Sequence, residues 1–367
     1  MTVDNLFILY SKRPMITFGT SSFTFNQILK GDKSQLSPIY VEAFGFCFDW
    51  LNGKNDFTLQ TSGSTGPPKN ITVSRTQLIE SAKATKLFFD LKEGCSMLCC
   101  LDTSKVAGKM MLVRAMEWGA CLRVIPPESN PLKDLKNEVF DFVAFVPLQV
   151  EKMMSSASGK RALEQIHNII IGGASISPQL REKVACLPGK VFQTYGMTET
   201  VSHIALANLK EKGDLKYKAL PGVKLKVDEQ NRLSIHAAMG GSIWLQTNDV
   251  VSLQSDTTFI WKGRSDHVVN SGGVKLYPEE IAQEMSELMS VYFPGKLFFL
   301  TGTADESLGQ ALILVVEGVG NNSNAVTFLK KARSILPKYH SPKQILFIPK
   351  FKVTPSGKID QLRTLAK

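Results

Sequence analysis

Residues 169–180 read IIIGGASISPQL, and residues 191–200 read VFQTYGMTET. The two stretches share one form. In the first, three isoleucines make a buried strand and Gly172–Gly173 turn the chain. Ser177 then caps a helix whose first residue is Pro178. In the second, a short strand leads through Tyr195 to Gly196 and Met197, then to a hydroxyl and a carboxylate at Thr198 and Glu199. Strand, glycine turn and helix in succession predict an open α/β sheet, which takes ligands beyond the carboxyl ends of its strands. The glycine pair would let a flat base lie against the backbone.

Upstream, residues 61–70 read TSGSTGPPKN, with nothing to bury. FTLQ before this loop and ITVS after it read as short strands. The next segment opens with a capping box, Ser74 with Gln77, and continues with Leu78, Ala82 and Phe89 at helical spacing. A loop that joins two strands is not a Walker A loop, which runs straight into a helix. Asn70 also stands where that motif needs a Ser or Thr after Lys69. The chemistry still suits phosphate. Gly63 and Gly66 permit positive φ, so backbone N–H groups can converge on an anion. Thr61, Ser62, Ser64 and Thr65 add hydroxyls, and Lys69 adds a charge. On the loop alone, a flexible surface hairpin remains an equal alternative.

Further pieces follow in order. IWLQTNDVV (243–251) ends a third strand near Asp249. WKGRSDHVVNSGGVKLYPEEI (261–281) holds Arg264, a second glycine pair at Gly272–Gly273 and a helix start at Pro278. TPSGKID (354–360) is a turn that presents Lys358.

Composition limits the field. The chain has 367 residues, 43% of them hydrophobic and 21% charged, enough for a sizeable core and two domains. It shows no signal-peptide core and no membrane-span run. Six cysteines without metal-ligand spacing read as reduced residues in buried strands. The expected compartment is the cytoplasm. The net charge of +10 suits acidic partners such as nucleotides, but no motif supports nucleic-acid binding.

The ordered series TSGSTGPPK, GGA, YGMTE, ND, GRSD, SGG and TPSGK, covering residues 57–360, resembles the adenylate-forming superfamily of acyl-CoA synthetases, adenylation domains and luciferases. The resemblance implies a set of roles. Residues 61–69 would hold the β- and γ-phosphates of ATP. Gly172, Gly173 and Ala174 would border the adenine, with Tyr195 stacking on it. Thr198 would bond the α-phosphate, and Glu199 would bind Mg²⁺. Asp249 would accept from the ribose hydroxyls, Arg264 would contact ribose or phosphate, and Asp266 would be the hinge. Lys358 would bridge the attacking carboxylate and the α-phosphate, while the loop at Gly272 and Gly273 would line a tunnel for CoA. Two departures stand out. The family usually carries a longer segment before the phosphate loop, so the N-terminal region is expected to be trimmed. The ribose motif has Asn248 where Gly is usual, and Asn tolerates the left-handed region that such a turn uses.

The acyl pocket is expected near residues 101–124, a mostly apolar helix and strand carrying Lys105, Lys109 and Arg114. Cations among Met and Val point to a substrate with a second anionic group, because burying an unpaired charge is costly. The alternative is that they snorkel to water. VAGKMMLVRA (106–115) resembles the o-succinylbenzoate–CoA ligases of menaquinone biosynthesis, in which an arginine at the position of Arg114 meets a substrate carboxylate. The usual histidine of that family's pocket is missing. His203 reads as structural, with the acyl substrate as its other possible neighbour.

The architecture expected is a large α/β domain, residues 1–263, a hinge at 264–266, and a mobile α+β lid, 267–367, that carries Lys358. ATP, CoA and a small carboxylic acid are the expected substrates, with a monomer and a homodimer both open. Loading of a carrier protein and nucleotide binding without catalysis on the same fold are the alternatives to an acid–CoA ligase.

Overall fold

The structure, a computed structural model, describes residues 14–60, 70–135, 138–320, 322–354 and 359–366. Asp56–Gln60 and Asn70–Ser74 form an antiparallel hairpin, from Asp56 opposite Ser74 to Gln60 opposite Asn70. Strand alternation buries Phe57, Leu59 and Val73. Residues 61–69 connect these strands and lie outside the described residues. Ser74 then caps the helix Arg75–Phe89. Its hydroxyl accepts from the Gln77 amide, and the Gln77 side chain accepts from the Ser74 amide.

Among the described residues, thirteen strands join into one sheet. Its parallel part runs in the order Lys190–Gly196, Ile166–Ile171, Phe140–Phe145, Ser96–Cys99, Cys121–Val124 and Met15–Phe18. Parallel neighbours need long crossovers, and helices such as Val106–Trp118, Pro147–Met154 and Pro178–Ala185 supply them. The sheet is therefore covered on both faces, with a core on each. Phe142 and Ala144 pack with Met111 and Trp118, whereas Val143 and Phe145 pack with Ile169, Ile171 and Leu180.

Beyond Lys190–Gly196 the sheet turns antiparallel, through His203–Asn208, Lys216–Ala219, Thr258–Arg264, Trp244–Ser255, Arg232–His236 and Lys224–Val227. Two sequence expectations are corrected here. The strand expected to end near Asp249 continues to Ser255, so Asp249 lies inside it, opposite Arg264. Asn248 is extended in that strand and is absent from the positive-φ residues. Pairing with Thr258–Arg264 keeps the chain extended past the polar motif, and local sequence does not carry that information.

The chain leaves this sheet after Arg264 and enters a second one at Val269. The second sheet orders Val274–Leu276, Val269–Ser271, Gly309–Glu317 and Phe298–Asp305, with Gln344–Ile348 parallel to Gly309–Glu317. It has its own core, built on Val269, Leu276, Ile281, Leu314 and Phe328. Val353 bridges Ile359 around residues 355–358, which lie outside the described residues and include Lys358. The cysteines depart in part from expectation. Cys47 is buried in a helix and Cys186 is exposed at a helix end, where its backbone caps the turn. Among the described residues no helix is long and apolar enough to cross a membrane.

Candidate active site

The parallel strands end at one edge of the sheet, and the residues expected to hold nucleotide follow two of them. After Ile166–Ile171, the Gly172 amide donates to the Phe145 carbonyl at 3.0 Å, while Gly173 and Ala174 are exposed. A Cβ at Gly172 would stand 2.3 Å from the Thr194 hydroxyl, so backbone lies directly against the neighbouring strand. These placements fit Brändén's crevice, next to the strand at which parallel pairing gives way to antiparallel.

After Lys190–Gly196, residues Thr198–Thr200 form a single 3-10 turn. Glu199 projects into solvent and Thr198 is half-buried. Thr200, fully buried, braces the turn. Its hydroxyl accepts from the Met197 amide at 3.2 Å and lies 2.9 Å from the Ser202 carbonyl. Val201 then adopts φ 64°, ψ −42°, and the Ser202 amide donates to the Thr200 carbonyl at 2.6 Å. This is a γ-turn of the rare, strained hand, on a β-branched residue that is fully buried. Strain of this kind persists only where the surroundings over-determine it, and it gathers at functional sites. Gly196 makes the return possible. A Cβ there would stand 2.4 Å from the Ser202 oxygen and 2.5 Å from the His203 Cα.

Asp249 is held on both oxygens. Tyr195 donates its hydroxyl to Oδ2 at 2.6 Å, and the Trp261 indole donates to Oδ1 at 3.0 Å. Burial, with the Asp249 charge second, pushes the Tyr195 phenol well above its ordinary pKa, so it stays a donor. The Tyr195 ring sits edge-on against Phe259 and Tyr217. One strand over, Arg264 forks onto Asp266, Nε to Oδ1 at 2.9 Å and Nη2 to Oδ2 at 2.8 Å. That bond raises the Arg264 pKa, chiefly through the Asp266 hydrogen bond. The sequence reading named Tyr195, Asp249, Arg264 and Asp266 singly. It missed Trp261 and Thr200, because both act through partners that folding supplies.

The three cations expected in the acyl pocket separate. Lys105, before the helix Val106–Trp118, is exposed, and its ammonium donates to Gln60 at 3.1 Å, beside the start of residues 61–69. Lys109 is half-buried. Arg114 points into the core and is 2% exposed. Its Nη2 donates to the Ser202 hydroxyl at 2.9 Å and lies 3.4 Å from His203 Nδ1, while its Nε has no partner. Among the described residues it makes no ion pair. Burial brings its pKa down to about 9. Burial, followed by the Arg114 charge, also holds His203 well below its ordinary pKa, so the imidazole is neutral. The snorkelling alternative therefore fits Lys105 and fails for Arg114.

At the second sheet, Gly272 (φ 57°) and Gly273 (φ 81°) make the two-residue turn between Val269–Ser271 and Val274–Leu276. Both central residues need positive φ in such a hairpin. Two charged contacts meet the helix Pro278–Glu284: Lys262, on the strand Thr258–Arg264, reaches Glu280, and His267, between the two sheets, reaches Glu279, each at 2.5 Å. Among the described residues no group of three or more His, Cys, Asp or Glu could hold a metal.

Comparison with known proteins bears on the family and the fold. The family model described as AMP-binding enzyme matches residues 57–252. An acyl-CoA synthetase (AMP-forming)/AMP-acid ligase II-like protein from Dyadobacter fermentans, of known structure, is 38% identical. It has a TM-score of 0.63, over 92% of this chain and 97% of that one. The 2-succinylbenzoate–CoA ligase of Staphylococcus epidermidis is 24% identical over 95% of this chain and 75% of its own. The structure of o-succinylbenzoate coenzyme A synthetase from Bacillus subtilis, in complex with ATP and magnesium ion, shares the fold. Its TM-score is 0.76 at 17% identity, over 97% of this chain and 98% of that one.

Proposed function

The chain belongs to the AMP-binding enzyme family, and from that membership we propose that it is an ATP-dependent acid–CoA ligase acting on o-succinylbenzoate in menaquinone biosynthesis. One observation carries the choice of acid. Arg114 is a buried guanidinium with an unpartnered Nε and no carboxylate beside it among the described residues. A buried cation without a counter-ion is costly. A substrate with two carboxylates resolves it: one is activated and the other meets Arg114. Arg suits this work because its planar fork matches a carboxylate.

The reaction has two steps. One carboxylate oxygen attacks the α-phosphorus of ATP, the bond to the β-phosphate oxygen breaks, and pyrophosphate leaves. The CoA thiol, losing its proton, then attacks the acyl carbon of the acyl-adenylate, and AMP leaves. In this reading Asp249, aimed by Tyr195 and Trp261, takes the ribose hydroxyls, and Gly172, Gly173 and Ala174 border the base. Thr198 bonds the α-phosphate. Glu199 fits magnesium, which is commonly held by one or two carboxylates plus substrate phosphates, and the ion would neutralise phosphate charge. Arg264, now on Asp266, contacts ribose or phosphate. Residues 61–69 hold the leaving pyrophosphate, and Lys358 stabilises charge between the two reactants. The second sheet acts as a lid that turns about Asp266 and brings Gly272 and Gly273 to the pantetheine arm.

The test is pyrophosphate release and thioester formation with ATP, Mg²⁺ and CoA. The acids are o-succinylbenzoate, benzoate, a medium-chain fatty acid and several amino acids. Selective turnover of o-succinylbenzoate is expected. Pyrophosphate without thioester would move the reading to carrier loading, and turnover of the fatty acid alone would refute the acid assigned. Lys358→Ala is expected to abolish adenylate formation while largely sparing transfer from preformed acyl-adenylate.

A further inference from the structure

Around Arg114 lies a buried polar chain with a fixed direction. Thr85, fully buried on the helix Arg75–Phe89, gives its single hydroxyl proton to the Ser81 carbonyl at 3.0 Å. His203 Nε2 lies 3.2 Å from the same oxygen, and the arrangement that keeps both contacts has the oxygen accept from Nε2, with the ring proton there. Nδ1 is left bare. It faces Ser202 Oγ at 3.3 Å and Arg114 Nη2 at 3.4 Å. Ser202 accepts from Arg114 Nη2 at 2.9 Å and can donate onward to Nδ1. Every side-chain donor of Thr85, His203 and Ser202 then meets an acceptor, as a buried network requires, and Arg114 Nε alone is left over. A protonated His203 would break it by turning a second donor on the guanidinium.

We infer that His203 is a positioning residue for recognition of the acid's second carboxylate. Held as the Nε2–H tautomer by Thr85, it fixes Arg114 Nη2 through Nδ1 and Ser202 and leaves Arg114 Nε to the substrate. The inference rests on the reading that Arg114 meets the acid. The fold builds the support deliberately. The strained turn at Val201 and the missing side chain at Gly196 together bring Ser202 and His203 in beneath the Thr198–Thr200 turn. The group that orders the second carboxylate is thus continuous in chain with the turn assigned to phosphate. Sequence reading left His203 as structural because Thr85 and Arg114 lie 118 and 89 residues away from it.

The experiment uses the full chain with ATP, Mg²⁺ and CoA. It compares o-succinylbenzoate with two monocarboxylates, 3-benzoylpropionate and 2-butanoylbenzoate, each lacking one carboxylate. Whichever monocarboxylate is turned over is the reference. His203→Phe is expected to raise KM for o-succinylbenzoate about tenfold or more and to leave the reference KM and kcat little changed. His203→Asn, whose amide oxygen takes the place of Nδ1, restores part of the loss. Nitrogen-15 NMR of histidine-labelled wild type is expected to show His203 with one bare nitrogen and the proton on Nε2, and Thr85→Val to lose that signature. A proton on Nδ1, or an equal rise in KM for both acids, overturns the inference. If Arg114→Met abolishes the dicarboxylate preference and His203→Phe does not, this inference alone falls. If Arg114→Met leaves the preference intact, the assignment of Arg114 falls and takes the inference with it.

Discussion

Replacing Arg114 by Met separates stability from recognition. Met has a similar reach and no charge, so it can fill the channel that the arginine occupies. Burial lowers the Arg114 pKa to about 9, far below an ordinary arginine, which corresponds to a penalty on the order of 5 kcal/mol on the charged form. The hydrogen bond from Nη2 to Ser202 and the longer contact, 3.4 Å, toward His203 together offset about 2–4 kcal/mol of it, a full bond to a charged group being worth about 1.5–3 kcal/mol. The remainder is a net gain of about 1–3 kcal/mol for Arg114→Met in the unliganded protein, within the range seen when buried ion groups become apolar. At about 2 °C per kcal/mol, the melting temperature rises by about 2–6 °C. The sign with pH follows from the lowered folded pKa. The charge penalty is complete below about pH 9 and fades only as pH climbs toward the ordinary arginine value, so the gain is flat across pH 6–8. Thermal unfolding is then repeated with o-succinylbenzoate at a hundred times its Kd. Wild type gains about 2.7 kcal/mol from ligand at that ratio, and the variant gains almost nothing. A variant that melts lower than wild type would show that the guanidinium is satisfied without substrate. Equal ligand stabilisation in both proteins would remove Arg114 from the acid site.

Gly196→Ala forces a Cβ to within 2.4 Å of backbone that cannot move away, so it is expected to destabilise by about 3 kcal/mol and to depress adenylate formation through the Thr198–Thr200 turn. Chemical denaturation and pyrophosphate release measure the two effects, and a fully active, fully stable variant would contradict the close approach. Tyr195→Phe frees Asp249 Oδ2 and is expected to raise KM for ATP several-fold with little change in KM for the acid, checked by steady-state kinetics. A change confined to the acid would place Tyr195 elsewhere. His267 is held above its ordinary pKa, first by its hydrogen bond to Glu279. A raised folded pKa means that this tie contributes fully below pH 6.5 and is lost as pH rises through the folded value. Histidine NMR titration should show the His267 pKa falling toward its ordinary value in Glu279→Gln, and an unmoved titration would refute the pairing.

Local chemistry made much of the fold legible. The Ser74–Gln77 capping box and the Ser177–Pro178 helix start were readable because a cap is satisfied within four residues. The strand–loop–strand order around residues 61–69 was readable from short alternating runs flanking Gly and Pro. The order of the motifs pointed to the family before any contact was known. Where the reading failed, a distant strand was responsible. Asp249 looked like a strand end because Thr-Asn-Asp is turn chemistry, yet pairing with Thr258–Arg264 holds it in mid-strand opposite Arg264.

The sequence by itself determined the glycine turn after Ile166–Ile171 and the Gly196 turn with the Thr198–Glu199 pair after the next strand, since those residues follow their strands directly. Only the tertiary structure decided which of three cations is buried. It also decided that Trp261 and Tyr195 aim Asp249, and that Thr85, Ser202 and His203 hold Arg114. The physical reason is the same in each case. A buried polar atom must find its partner wherever packing brings one, and these partners come from helices and strands that the chain visits far apart.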